Sequence, residues 1–260
     1  MSQTVLVERT GEHLAHLILN RPEVLNAIDN DLAITLTETC DMLAHDDSVW
    51  AVILRGSGER AFCVGADLKV RRTFTPEDWA HQRSLLRTMF RALRTLPQPM
   101  IAAVHGYALG GGTELAMLAD FIVAAEDATF GLTEVSLGII PGGGGTQNLP
   151  RMIGRNQAKE LIFAARRIPA FEAYRLGLVN HVVSRASLLA TATSIAEEIM
   201  RNGPFAVRQA KWAIDHGADQ EFEDGLEREH EAYMRAIASE DRTEGINAFN
   251  EKRPPRFKGR

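Results

Sequence analysis

Two glutamates stand in apolar company. Glu114 sits in ALGGGTELAML (108–118) and Glu134 in FGLTEVSLGII (130–140). A carboxylate taken out of water without a partner is costly, so it shifts its pKa or finds donors. Two such groups in different surroundings suit a general acid–base pair, because environment can push their pKa values apart. Taken singly, each also reads as a helix-start or loop carboxylate facing solvent. Their neighbours tip the reading towards chemistry. Gly110, Gly111 and Gly112 open the helix that carries Glu114. There the backbone can approach a ligand closely and aim unpaired N–H groups at it. The second glycine run, PGGGG (141–145), precedes TQNLPRMIG and not a Lys-Ser/Thr pair, so it is not a P-loop. A third stretch, RAFCVGADLK (60–69), completes the set.

No metal chemistry is expected. The eight histidines include no H-x-x-x-H pair, and Cys40 and Cys63 lie far apart in sequence. In a strand, His13 and His16 would fall on opposite faces. His105, in AVHGY, reads as a core histidine with a satisfied hydrogen bond.

The elements that must position these residues alternate. TVLVER and HLAHLILN flank Gly11–Glu12 as a hairpin. Asp29 or Asn30 caps a helix through DLAITLTETCDMLAHD. WAVILRG and MIAAVHG are short, nearly all-apolar strands of the kind covered on both faces. Between them lies an amphipathic helix, PEDWAHQRSLLRTMFRALRTLPQP, ended by Pro97 and Pro99. FIVAAEDATFG reads as one further strand. This alternation predicts α/β layering. From about Arg185 the pattern becomes consecutive helices, which predicts an α/β core over 1–195 and a helical portion over 196–260.

The totals agree with an ordinary globular enzyme-sized chain. It has 260 residues, 45% hydrophobic and 24% charged, and a net charge of -5. The acidity gives no global drive towards nucleic acid. Two cysteines fit a reducing compartment. The start has no signal-peptide core and no 18-residue apolar run occurs, so a cytoplasmic chain with no membrane partner is expected.

Together the three stretches resemble the crotonase (enoyl-CoA hydratase/isomerase) superfamily, from NRPEVLNAI through EKRPPRF. The resemblance implies a spiral of ββα units with a C-terminal helical region used in trimer formation, often as a dimer of trimers. It implies an acyl-CoA thioester substrate and no separate cofactor, coenzyme A being part of the substrate. Ala66 and Gly111 match the two backbone N–H donors of the family's oxyanion hole. Glu114 and Glu134 match the catalytic glutamates of the hydratase branch, which adds water syn across a 2-enoyl thioester. Lys69, Lys252 and Phe257 match positions that line the CoA site, some of them from an adjacent subunit. The chain departs from the pattern at Glu23, where lysine is common, at Val64 and at Asn148. Straight-chain, methylglutaconyl, carnitinyl and cyclic enoyl thioesters all fit, as do an isomerase and a silent or RNA-binding member. The segment from Thr73 to Phe90, with Phe74, Trp79, Leu85, Leu86 and Met89, is expected to wall the acyl pocket.

Overall fold

The computed structural model describes residues 3–260. Among the described residues, ten strands alternate with helices through the first two thirds of the chain. They are β1 (Val5–Thr10), β2 (Leu14–Leu19), β3 (Ala51–Gly56), β4 (Ala61–Cys63), β5 (Met100–Val104), β6 (Tyr107–Leu109), β7 (Phe121–Ala125), β8 (Thr129–Gly131), β9 (Ile168–Pro169) and β10 (His181–Val183). The helices are α1 (Asn30–Ala44), α2 (Leu68–Arg71), α3 (Pro76–Arg94), α4 (Gly111–Ala116), α5 (Gly145–Ile153), α6 (Arg155–Phe163) and α7 (Ala170–Leu176). Then α8 (Leu188–Met200), α9 (Pro204–Gly217), α10 (Phe222–Ile237) and α11 (Glu240–Glu251) follow without further strands.

The strands form two sheets. The larger runs β1-β2-β3-β5-β7-β10, parallel except for the β1–β2 hairpin. The smaller runs β4-β6-β8-β9, with only β9 antiparallel. Successive units repeat one plan: a strand in the large sheet, a short strand in the small sheet, then a helix. β3–β4–α2/α3, β5–β6–α4 and β7–β8–α5 each follow it, which winds the chain into a spiral of ββα turns.

The large-sheet strands are apolar on both faces because both faces are covered. One face meets the main core with α1 and α3, through Leu17, Val52, Leu54, Ala102 and Val104. On the other, Ile53, Ile101, Ala103 and Val123 pack under Leu188, Ala192 and Ala196 of α8. Helix starts are capped as their sequences suggest. Asp29 accepts from the Leu32 N–H, and Thr75 with Asp78 forms a capping box on α3.

FIVAAEDATFG corrects one expectation. It holds two strands, β7 and β8, in different sheets, joined by a turn. His105 is buried between β5 and β6 as expected, yet its Nε2 has no hydrogen-bond partner among the described residues. Among the described residues no helix is long and apolar enough to cross a membrane. Nor is any group of three or more His, Cys, Asp or Glu side chains among them placed to hold a metal ion.

Candidate active site

The ββα repeat brings the ends of β4 and β6 side by side, and the chain segments that follow them open one cavity of about 860 Å³. The first segment is Val64–Ala66. Arg21 fixes it from outside by pairing with both Asp29 (2.9 Å) and Asp67 (3.3 Å) and donating to Ala27 O (2.5 Å). Asn26, fully buried, ties the same loop to β3–β4 by donating to Ser57 O and Ala61 O. These contacts hold Ile28 and Ala66 in a parallel bridge. The bridge uses the N–H of Ile28, to Gly65 O at 2.7 Å, and that of Asp67, to Ile28 O at 2.9 Å. The Ala66 N–H has no acceptor among the described residues and opens on the cavity.

The second segment is Gly110–Gly112. Gly65, at φ +81°, passes so close that a Cβ there would stand 2.8 Å from Gly111 N. Only glycine fits both that φ and that approach. Gly111 N is the first N–H of α4, so no preceding turn satisfies it. Thr113 locks α4 in place, donating to Ala108 O (2.6 Å) and accepting from Gly131 N–H (3.1 Å). Ala66 and Gly111 thus present two unpaired donors, from two ββα turns, on one wall of the cavity.

Glu114 and Glu134 face the same cavity. Glu114 is buried, and its Oε1 accepts from Gly143 N–H (2.7 Å) and Gly145 N–H (2.8 Å). Burial raises its pKa above the ordinary glutamate value, while the backbone N–H groups of Gly145, Gly143 and Gly142 and the Arg83 charge oppose the rise. Glu134 begins a single helical turn, Glu134–Leu137. Its carboxyl lies against the glycine segment: a Cβ on Gly110 would be 3.3 Å from Glu134 Oε1. Its Oε2 is buried with no hydrogen-bond partner among the described residues. Burial pushes Glu134 up to about 7; its own backbone N–H opposes the shift, and the nearby Glu114 charge adds to it. The two glutamates therefore differ in kind. Two N–H donors from the glycine loop favour the anion at Glu114, and burial with no donor but its own backbone N–H favours the neutral acid at Glu134.

The far wall comes from α2 and α3. Trp79 and Leu86 line it as expected, but Phe74, Leu85 and Met89 do not: Phe74 packs edge-on to Trp79, and Met89 is wholly buried in the core. Three polar side chains that the sequence does not single out by name complete this wall: Arg71, Gln82 and Arg83. Arg71 sits in KVRR (69–72), a run that in sequence reads as a CoA-phosphate neighbourhood or a solvated face, and Gln82 and Arg83 lie on α3 among other polar residues, so nothing in the pattern points them at the acyl cavity. The remaining expected residues are elsewhere. Lys69 is exposed on α2, off the cavity lining. Lys252 is exposed at the end of α11, and Phe257 lines a separate apolar cavity of about 720 Å³ between α9, α10 and α11. Within one chain neither reaches the glutamates' cavity.

Comparison with known proteins agrees with this architecture. The family model described as enoyl-CoA hydratase/isomerase matches residues 9–260. The crystal structure of an enoyl-CoA hydratase from Bacillus anthracis superposes with a TM-score of 0.97 at 46% identity, covering 99% of this chain and 100% of that one. A short-chain-enoyl-CoA hydratase of Clostridium acetobutylicum is 42% identical over 96% of this chain and 95% of its own length. A human mitochondrial methylglutaconyl-CoA hydratase is 41% identical over 97% of this chain and 76% of its own. With its ββα spiral and this similarity along nearly its whole length, the chain belongs to the enoyl-CoA hydratase/isomerase family and has the crotonase fold.

Proposed function

We propose that this cavity hydrates a 2-enoyl-CoA thioester to a 3-hydroxyacyl-CoA. One observation carries the reading: two carboxyls, one accepting two backbone N–H bonds and the other with an unpartnered buried oxygen, share a cavity with two unpaired backbone N–H groups. The thioester oxygen accepts from Ala66 and Gly111 N–H. Glu114 takes a proton from a water molecule as its oxygen bonds to C3. The double-bond electrons move towards the carbonyl, and the resulting enolate charge rests on the two N–H donors. Glu134 delivers its proton to C2, so that H and OH have added across the double bond. Proton exchange then returns Glu114 to the anion and Glu134 to the acid. An isomerase needs only one such acid, so the presence of both favours hydration. The reaction calls for no cofactor beyond the coenzyme A that the substrate carries.

Lys69, next to the Ala66 segment, is positioned to meet CoA phosphates at the rim. Lys252 and Phe257 would reach a CoA only in a neighbouring subunit, consistent with a trimer or a dimer of trimers. Loss of conjugated-thioester absorbance with crotonyl-CoA tests the assignment. Glu114→Gln and Glu134→Gln should each lower kcat by roughly 10²–10⁴-fold, the worth of a positioned acid or base. The double variant should fall far short of the product, since both groups act on one event. Near wild-type turnover in both single variants would sink the hydratase reading.

A further inference from the structure

Two guanidinium groups in the cavity wall are unexplained by water addition. Arg71 Nε donates to Gln82 Oε1 at 2.7 Å, and Gln82, itself buried, is held by Asn30 at 2.8 Å. The Arg71 guanidinium also lies over the Trp79 ring, 4.7 Å from its centroid. These contacts fix the plane of the group and leave its two terminal nitrogens without a hydrogen-bond partner among the described residues. Arg83 donates from Nη1 to Gly142 O at 2.7 Å and keeps Nε and Nη2 unused. Neither arginine forms an ion pair among the described residues. The cavity's only acidic lining residues are Glu114 and Glu134, already committed to chemistry. Burial, and after it the neighbouring Arg83 charge, push the Arg71 pKa down, so the half-buried Arg71 feels a second cation, the exposed Arg83, which also stands in the field of Glu114.

A half-buried, unpaired Arg71 is costly without an anion and is well shaped for one, because a planar, pre-oriented guanidinium edge matches a carboxylate, and the exposed Arg83 adds a second cation on the same wall. The position selects which anion. Arg83 grips Gly142, in the loop whose Gly143 and Gly145 N–H groups hold Glu114. It therefore stands at the Glu114 end, where acyl carbons beyond C3 must run. The geometry points to a substrate whose acyl chain ends in a carboxylate: Arg71 and Arg83 bind the distal carboxyl of a dicarboxylic 2-enoyl monothioester. This rests on the reading that the cavity takes the acyl group of a CoA thioester.

Binding separates this inference from the hydratase assignment. Glutaryl-CoA and hexanoyl-CoA are saturated, unreactive and of similar length, and differ in the terminal charge. Wild-type protein should bind glutaryl-CoA the more tightly, and Arg71→Met should cut that preference about 10–100-fold, the range for hydrogen bonds to a charged group. Arg83→Met should do the same, and Arg71→Lys should keep part of it. The ratio of kcat/KM for glutaconyl-CoA over hex-2-enoyl-CoA should move in parallel. Equal wild-type affinity for the two thioesters overturns the inference. So does an Arg71→Met variant that weakens both thioesters and free CoA alike, since the guanidinium would then be serving CoA phosphates. Crotonyl-CoA turnover with no glutaryl preference defeats this inference alone. A glutaryl preference without turnover of any enoyl-CoA defeats only the hydratase assignment.

Discussion

At the residue scale, the most telling group is Glu134. A carboxyl whose folded-state pKa lies above its unfolded value binds its proton more tightly when folded. Stability from that group is therefore full below the ordinary glutamate value. It declines as pH rises towards about 7, where the folded group ionises, and stays lost above. Glu134→Gln removes the liability. The variant should gain stability over wild type at about pH 8 and much less at about pH 5. Thermal midpoints at the two pH values measure it, and an equal shift at both would mean that Glu134 is not held neutral in the folded protein. The glutamates were legible because a charge inside an apolar run is rare and needs a reason. The arginines were not, because on an amphipathic helix a guanidinium facing a cavity and one facing water look the same. PGGGG was legible as a glycine run but not as the donor to Glu114, since its N–H groups act thirty residues away in sequence through backbone that only the fold aligns.

At the element scale, α4 carries the site, and its placement depends on close packing with β4, β6 and β8. A Cβ on Gly112 would lie 1.9 Å from Cys63 O, so Gly112→Ala must push α4 off β4. Overpacking of this kind costs about 1–3 kcal/mol or more. It should also lower kcat, because Gly111 N and Glu114 would move together. Thr113→Val is a gentler probe. It keeps the shape but removes both the donor to Ala108 O and the acceptor of the Gly131 N–H, a loss of about 1–3 kcal/mol. Chemical denaturation should show this as a lower midpoint, and an unchanged midpoint would mean that Thr113 is not what ties α4 to β8. The long elements could be read from sequence: the hairpin, α1, α3, β3 and β5 all carry period or length. The small sheet could not. AFC, YAL and TFG are three residues each, too short to show alternation, and they are strands only because the spiral stacks them.

At the scale of the whole molecule, the C-terminal helices are left unusually apolar outside. Ile214 is 65% exposed, Phe222 76%, Tyr233 63% and Phe249 84%, all on α9, α10 and α11. A monomer rarely shows large apolar side chains clustered in this way, and association is the ordinary reason. Lys252 and Phe257 lie in the same region, out of reach of their own chain's glutamates. The proposed oligomer would account for both observations, with neighbouring subunits covering this surface and bringing these residues to one another's CoA. Light scattering coupled to gel filtration should therefore give three or six times the 28.7 kDa chain mass. Phe249→Asp should reduce it, with circular dichroism unchanged, because so exposed a side chain contributes little to the monomer's own packing. Separation of the subunits should then raise KM for crotonyl-CoA more than it lowers kcat, since Glu114, Glu134, Ala66 and Gly111 all come from one chain. A wild-type monomer at every concentration, or a dissociated variant with unchanged KM, would return Lys252 and Phe257 to the role of surface residues.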